Sequence, residues 1–117
     1  MKRGDAGMNS DVFVQYLNND DVHNGSVRRV IEEADRTQVP VDTVDGRVVV
    51  FEFTGVRDVK QNRPEGMVLY SLTELRESLP IRRFSFTNWD EEDDAYLEIT
   101  ALTMTNRESS ADSAPEN

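Results

Sequence analysis

The chain has 117 residues and no cysteine, and its 23 Asp and Glu residues outnumber 13 Lys and Arg, for a formal net charge of −10. This length is typical of one domain, the missing thiols exclude disulfides and thiolate metal sites, and the negative charge argues against direct binding to nucleic acid. No apolar run reaches the roughly 20 residues of a membrane span, and no secretory signal is visible at the N-terminus, so we expect a cytoplasmic protein that contacts no membrane.

A single α/β domain is predicted over residues 11–107, between two ends that have little to bury. Residues 1–10 contain two glycines and no hydrophobic periodicity, which is typical of a disordered leader. Residues 108–117 combine Ser, Ala, Pro and acidic side chains, and we expect a disordered acidic tail.

The first part of the domain is predicted to contain a helix between two strands. Residues 12–17 are rich in β-branched and aromatic side chains, which favours a strand, although Ser10 would also suit as the cap of a short helix there. Ser26 is a good N-cap for a helix over 27–36, whose apolar side chains recur at helical spacing. A proline then ends the helix, and residues 39–44 are predicted to be extended.

The centre of the chain is predicted to hold a hairpin followed by a loop. Asp45-Gly46 is a strong turn signal. The strand after it, 47–53, contains an unbroken apolar run over 48–51 that indicates burial on both faces. Residues 55–66 contain two glycines, one proline and mixed charges, and we predict a loop.

The next segment is predicted to pass from strand to helix. Residues 67–70 are apolar enough for a short strand. Ser71 and Glu74 have the spacing of a capping box, which predicts a helix over 72–79 that ends before Pro80.

The last two segments, 81–87 and 95–104, alternate between apolar and polar residues and are predicted to form a hairpin. Together the elements predict an α+β fold. It is a two-layer sandwich in which two helices cover one face of a mostly antiparallel sheet of five or six strands. The preferred topology is the ferredoxin-like, or split βαβ, arrangement.

A run of five carboxylates at the predicted hairpin tip is the first candidate site. The run directly follows the only tryptophan of the chain. It lacks the alternating ligands and central glycine of a calcium-binding loop, so we predict no metal there. A solvated turn is the plain interpretation, but tryptophan is enriched at binding hot spots. The predicted partner-binding residues are Trp89, Asp90, Glu91, Glu92, Asp93 and Asp94.

Residues 20–24 form a second polar group, which includes the only histidine, His23, beside Asp20 and Asp21. Such side chains could hold a metal ion or supply a catalytic base, but their spacing has no specificity. No nucleophile elbow and no phosphate-binding loop is present. We therefore predict no cofactor and no catalytic residue, and treat this group as a turn.

Arginine supplies eleven of the thirteen basic residues. Many carboxylates with few lysines are typical of adaptation to concentrated salt, because carboxylates hold water and cations at the surface. A GC-rich genome would also replace Lys by Arg without a physical cause. Three of the bases, Arg57, Lys60 and Arg63, could form a small patch with Arg82 and Arg83, or could pair with the surplus carboxylates.

These features predict a small acidic, salt-adapted binding or regulatory module that is not an enzyme and acts through protein–protein contacts. The partner protein could be basic, because a basic surface would complement the negative charge of this module. The alternative is a nucleic-acid mimic that inhibits a DNA- or RNA-binding enzyme. A second alternative is a small metal-dependent enzyme that uses residues 20–24.

Overall fold

The computed structural model of the chain describes residues 12–109 and shows an almost entirely β structure. The elements, in chain order, are β1 (Phe13–Leu17), α1 (Asn19–Val22), β2 (Ser26–Val27), β3 (Ile31–Glu33), β4 (Arg36–Asp42), β5 (Val48–Thr54), β6 (Asp58–Asn62), β7 (Leu69–Leu75), β8 (Arg82–Asn88), β9 (Tyr96–Ala101) and β10 (Thr103–Ser109).

The strands form two antiparallel sheets. Sheet A has the spatial order β1-β7-β8-β9-β6, and sheet B has the order β10-β5-β4-β2, with β3 also paired to β4. The short strand β2 links the two sheets, because Ser26 pairs with Asp42 of β4 and also bridges to Val68, just before β7.

The two sheets pack against each other through one hydrophobic core. Phe51 and Phe53 of β5 contact Phe84 and Phe86 of β8, with ring centroids 5.2 to 6.0 Å apart. All four rings are at most 1% exposed. Tilted and edge-on aromatic pairs of this kind stabilise a core beyond the area that they bury. The architecture is therefore a β-sandwich, and the predicted α+β sandwich with two helices on one sheet is wrong.

The predicted helix over 27–36 is replaced by β2, β3 and the start of β4. The amide of Val27 donates to the carbonyl of Met67 (3.0 Å) and the amide of Arg28 donates to that of Pro40 (2.8 Å). The β-branched residues of this segment lose side-chain freedom in a helix. Pairing with two neighbouring segments therefore outweighs the capping signal of Ser26.

The predicted helix over 72–79 is also wrong, because β7 continues to Leu75 between β1 and β8. In a capping box the glutamate would bond back to the backbone at Ser71. Instead the carboxylate of Glu74 accepts hydrogen bonds from Gln15 of β1 (2.8 Å) and Arg82 of β8 (2.8 and 3.0 Å).

Two further boundaries differ from the prediction. The loop predicted over 55–66 contains β6, which pairs with β9. The last predicted strand, 95–104, is divided at Leu102 into β9 of sheet A and β10 of sheet B. β9 lies inside sheet A between β8 and β6, whereas β10 forms an edge of sheet B, and alternation along the sequence does not reveal this change of sheet.

Several predictions are confirmed. Of the predicted segment 12–17, residues 13–17 form a strand and not a helix, and Asp45-Gly46 lies in the turn between β4 and β5. The run 48–51 is buried throughout. The hairpin that carries the acidic run is formed by β8 and β9.

The predicted leader, 1–10, and residues 110–117 of the predicted tail lie outside the described residues, whereas Glu108 and Ser109 belong to β10. Within residues 12–109, no helix has the length and hydrophobicity to cross a membrane.

Candidate functional site

Three aromatic side chains from separate segments meet at one end of sheet A. They are His23, which follows α1, Tyr70 of β7 and Trp89, which follows β8. The Tyr70 and Trp89 rings are stacked with centroids 5.4 Å apart, and the His23 ring stands edge-on to Tyr70 (5.5 Å) and to Trp89 (5.6 Å). We refer to these three residues as the aromatic cluster.

Backbone hydrogen bonds hold the aromatic cluster together. Trp89 donates its amide to the carbonyl of Val68 (2.8 Å), and Asn24 donates its amide to the carbonyl of Leu69 (2.8 Å). The Nδ1 atom of His23 lies 2.9 Å from the carbonyl oxygen of Tyr70. All three contacts are made to backbone carbonyls of residues 68–70, so the start of β7 positions the rings.

A β-bulge turns Tyr70 toward solvent. Leu69 pairs with Asn88 and Ser71 pairs with Thr87, so β7 contains one extra residue, Tyr70, at this point. Bulges re-aim a side chain and recur next to functional sites. Leu69 and Ser71 are buried, whereas Tyr70 is 45% exposed and Trp89 is 52% exposed.

An open hollow of about 540 Å³ lies beside the two large rings. Its other lining residues are Thr87, Asn88 and Glu91. The hollow is therefore lined by two aromatic side chains and one acidic side chain. This arrangement suits a flat or cationic group, because the faces of Tyr and Trp rings attract cations.

Two members of the acidic run shape the turn that carries it. Asp90 accepts a hydrogen bond from the amide of Glu92 (2.9 Å), and Asp93 accepts one from the side-chain amide of Asn88 (3.0 Å). The Asn88 bond, assisted by the nearby Arg63 guanidinium, holds the pKa of Asp93 below its ordinary value. These two carboxylates are therefore engaged within the hairpin.

Arg63 neutralises the far end of the acidic run by pairing with Asp93 and Asp94. By contrast, the carboxylates of Glu91 and Glu92 are exposed and form no hydrogen bond or ion pair within residues 12–109. Of the predicted partner-binding residues, Trp89, Glu91 and Glu92 are thus free to contact a partner, and Asp90, Asp93 and Asp94 are committed to the turn.

The polar group over residues 20–24 is divided by its contacts. Asp21 accepts from Arg47 (3.0 Å) and His23 contacts Tyr70, so the two side chains serve different neighbours. In the part of the chain that the structure describes, no three His, Cys, Asp or Glu side chains are grouped as metal ligands.

Three residues of the predicted basic patch form ion pairs with acidic residues of the protein itself. Arg63 pairs with the acidic run, Arg82 pairs with Glu74, and Arg83 pairs with Glu77 and Glu98. These contacts agree with the plainer interpretation, in which the arginines balance the surplus of carboxylates.

Comparisons with models of known protein families, with curated proteins and with solved structures find no significant match. A function is therefore inferred from the chemistry of the site and not from analogy with a fold.

Sequence reasoning identified Trp89 but missed its two aromatic neighbours. His23 was predicted to lie in a turn, and Tyr70 was predicted to end a short strand. No sequence signal marks the bulge at Tyr70, because the extra residue is defined only by the partner strand. The only indirect signal in the sequence was a tyrosine, Tyr70, next to the apolar run 67–69.

Proposed function

We propose that this protein is a non-catalytic binding module that holds a basic segment of a partner protein against a docking surface. The docking surface consists of the aromatic cluster together with Glu91 and Glu92. The observation that carries the proposal is the exposed, stacked Tyr70–Trp89 pair beside Glu91, whose carboxylate has no partner in residues 12–109.

The chemistry of this surface favours an arginine or lysine side chain. A cation over the face of Trp or Tyr gains about 0.5–1 kcal/mol at an exposed site. A carboxylate at the rim of the hollow adds a charge-assisted hydrogen bond, for which guanidinium has the best geometry. The net charge of −10 would also accelerate the encounter with a basic partner. We place this activity in the cytoplasm.

The two alternatives have weaker support. A nucleic-acid mimic needs a row of free anions spaced like phosphates. Here arginines interrupt the carboxylates, as in Arg28–Asp42 and Arg36–Glu52. An enzyme built on residues 20–24 would need Asp21 and His23 to act together, and their contacts separate them.

Fluorescence titration tests the proposal, because Trp89 is the only tryptophan and lies in the docking surface. Peptides of equal length rich in Arg, Lys, Glu or Ser would be added to the full chain. We expect saturable changes in Trp89 emission with the Arg-rich peptide, weaker changes with the Lys-rich peptide, and none with the other two.

Matched variants separate the docking surface from general charge. Glu91→Gln and Glu92→Gln should each weaken binding about two- to fivefold, as expected for exposed ion pairs. Tyr70→Leu keeps apolar bulk but removes the stacked ring, and should weaken binding further. Glu65→Gln is the control, because Glu65 is also exposed and outside the docking surface. Equal losses in Glu65→Gln and Glu91→Gln, or no saturable signal with any peptide, would refute the proposal.

A further inference from the structure

The outer strands of the two sheets differ in how they are protected against pairing with other chains. Exposed sheet edges usually carry charged residues that discourage such pairing. Three of the outer strands follow this rule: β6 contains Asp58 and Lys60, β10 contains Arg107 and Glu108, and β3 contains Glu32 and Glu33.

The remaining edge of sheet A, β1, breaks the rule. Its sequence, FVQYL, has no charged residue. Phe13, Val14 and Tyr16, together with the preceding Val12, are between 40% and 56% exposed. The Phe13 and Tyr16 rings lie next to each other, with centroids 4.7 Å apart, so the exposed apolar side chains of this edge form one patch.

We propose that β1 pairs antiparallel with β1 of a second copy of this chain, around a two-fold axis. The strand is self-complementary, because with no charged side chain it places no like charges opposite each other in such a pair. The pairing also forms a closed dimer, to which no third copy can add in the same way. The joined sheet would end at β6 on both sides, where Asp58 and Lys60 discourage further addition. A dimer is therefore favoured over a fibre.

The size and shape of the edge indicate a weak dimer. The four exposed side chains offer on the order of 300 Å² of apolar surface per copy, against about 800 Å² for each partner of a standard stable interface. In addition, the register with β7 shifts between Phe13 and Gln15, and bulges shorten the ladder that an edge can form. Association should therefore depend on protein concentration.

Salt should strengthen this dimer. Each copy carries a net charge of −10, and the resulting repulsion is reduced when salt screens it. The apolar contact is not weakened by screening. Ion-paired interfaces behave in the opposite way, so the direction of the salt effect distinguishes the two kinds of contact.

Sedimentation velocity on the full chain tests the proposal, from micromolar to millimolar protein and from dilute buffer to molar KCl. We expect conversion from the 13.3 kDa monomer to a dimer as both concentrations rise. Val14→Lys and Tyr16→Lys should each raise the dimer Kd about tenfold, because lysine on an edge strand opposes pairing. Both side chains are about half exposed, and unchanged circular dichroism would show that the variants fold.

Tyr96→Lys is the matched control for Tyr16→Lys, since Tyr96 is 47% exposed and lies on β9, which β7 and β8 separate from β1. It adds the same charge and should leave the dimer Kd unchanged. A chain that stays monomeric under all conditions would overturn the proposal. So would a dimer insensitive to both β1 variants, or one weakened equally by Tyr96→Lys. A monomer that instead accepts an unrelated strand-forming peptide on β1 would likewise overturn it.

Discussion

At the scale of single residues, Glu74 is the most constrained charge in the described part of the chain. Its side chain is 9% exposed and accepts hydrogen bonds from Gln15 and Arg82. The Arg82 guanidinium also lies 5.0 Å from the centre of the Phe84 ring. Glu74 therefore ties three adjacent strands of sheet A together through one carboxylate.

Removing the charge of Glu74 should destabilise the protein. In Glu74→Gln, the partly buried Arg82 loses its charged partner, and its hydrogen bonds are made to a neutral acceptor. We expect a loss of about 1–3 kcal/mol in the free energy of unfolding. Urea denaturation measures it. Glu33→Gln breaks an exposed pair with Arg36 and should lower the free energy of unfolding by only about 0.5 kcal/mol. Equal losses of unfolding free energy in the two variants would contradict the stronger contribution expected from the buried pair.

The same site makes stability depend on pH. Hydrogen bonds from Arg82 first, and then from Gln15, hold the pKa of Glu74 below its ordinary value. The unfolded chain therefore binds a proton at this residue at a higher pH than the folded chain does. The stabilisation is complete above the unfolded pKa, about 4.3, and is lost as pH falls through the lower folded pKa.

This dependence is measured by comparing wild type with Glu74→Gln in urea at a series of pH values. The difference in unfolding free energy should be constant near neutral pH and shrink as the pH falls below about 4. The pKa values of Asp45 and Asp93 are also lowered. Both residues are present in both proteins, so their contributions to the pH dependence largely cancel in the difference. A difference that grows toward acid pH would contradict the assignment.

At the scale of elements, Gly55 controls how two connections cross. It follows β5 with φ of +65°, and its carbonyl accepts from the amide of Leu102, between β9 and β10. A Cβ atom on Gly55 would lie 2.6 Å from Cδ1 of Leu102 and 2.9 Å from its Cβ. Only glycine allows the two connections to approach this closely.

Gly55→Ala and Gly46→Ala form a matched pair that separates backbone strain from steric contact. Gly46 also has positive φ, but a Cβ atom there would meet nothing within 4 Å. Gly46→Ala should therefore cost only the strain of about 1–2 kcal/mol. Gly55→Ala should cost about 1–3 kcal/mol more, because Leu102 must move within a packed region. Thermal and urea unfolding measure both, and equal costs would contradict the contact with Leu102.

Elements that depend on local pattern could be predicted from the sequence, whereas those that depend on partners could not. The turn at Asp45-Gly46 and the buried run after it are local signals, and both are confirmed. The two helices were predicted from Ser26 and from the Ser71–Glu74 spacing. Both signals are overridden by strand pairing, because tertiary context outweighs weak propensity. Once both segments are strands, the α+β class fails with them.

The docking surface was predictable only in part for the same reason. Trp89 and the acidic run are adjacent in sequence, so their proximity was expected. The contact of Trp89 with His23 and Tyr70 joins residues far apart along the chain. The division of the carboxylates into engaged and free members depends on Arg63, which was predicted to lie in a separate loop.

At the scale of the whole molecule, the surface alternates between ion pairs and unpaired acids. Within residues 12–109, Asp20, Asp35, Asp58 and Glu65 are exposed carboxylates with no side-chain ion pair or hydrogen bond. Surface ion pairs contribute little and weaken with salt, whereas repulsion among unpaired acids is relieved by salt. The two contributions respond to salt in opposite directions, so the stability of the protein against salt reports which of them dominates.

We expect the melting temperature to rise with KCl and to continue rising above 1 M. Simple screening is nearly complete there, since the Debye length is about 3 Å, so a further rise would come from hydrated carboxylates and stronger apolar burial. The measurement is thermal unfolding of dilute protein, at concentrations where sedimentation shows monomer. A variant with Asp20, Asp35, Asp58 and Glu65 changed to amides should be more stable in dilute buffer and respond less to salt. A melting temperature that is flat above 1 M, or that falls as ion pairs are screened, would contradict salt adaptation and leave the acidic surface to partner binding.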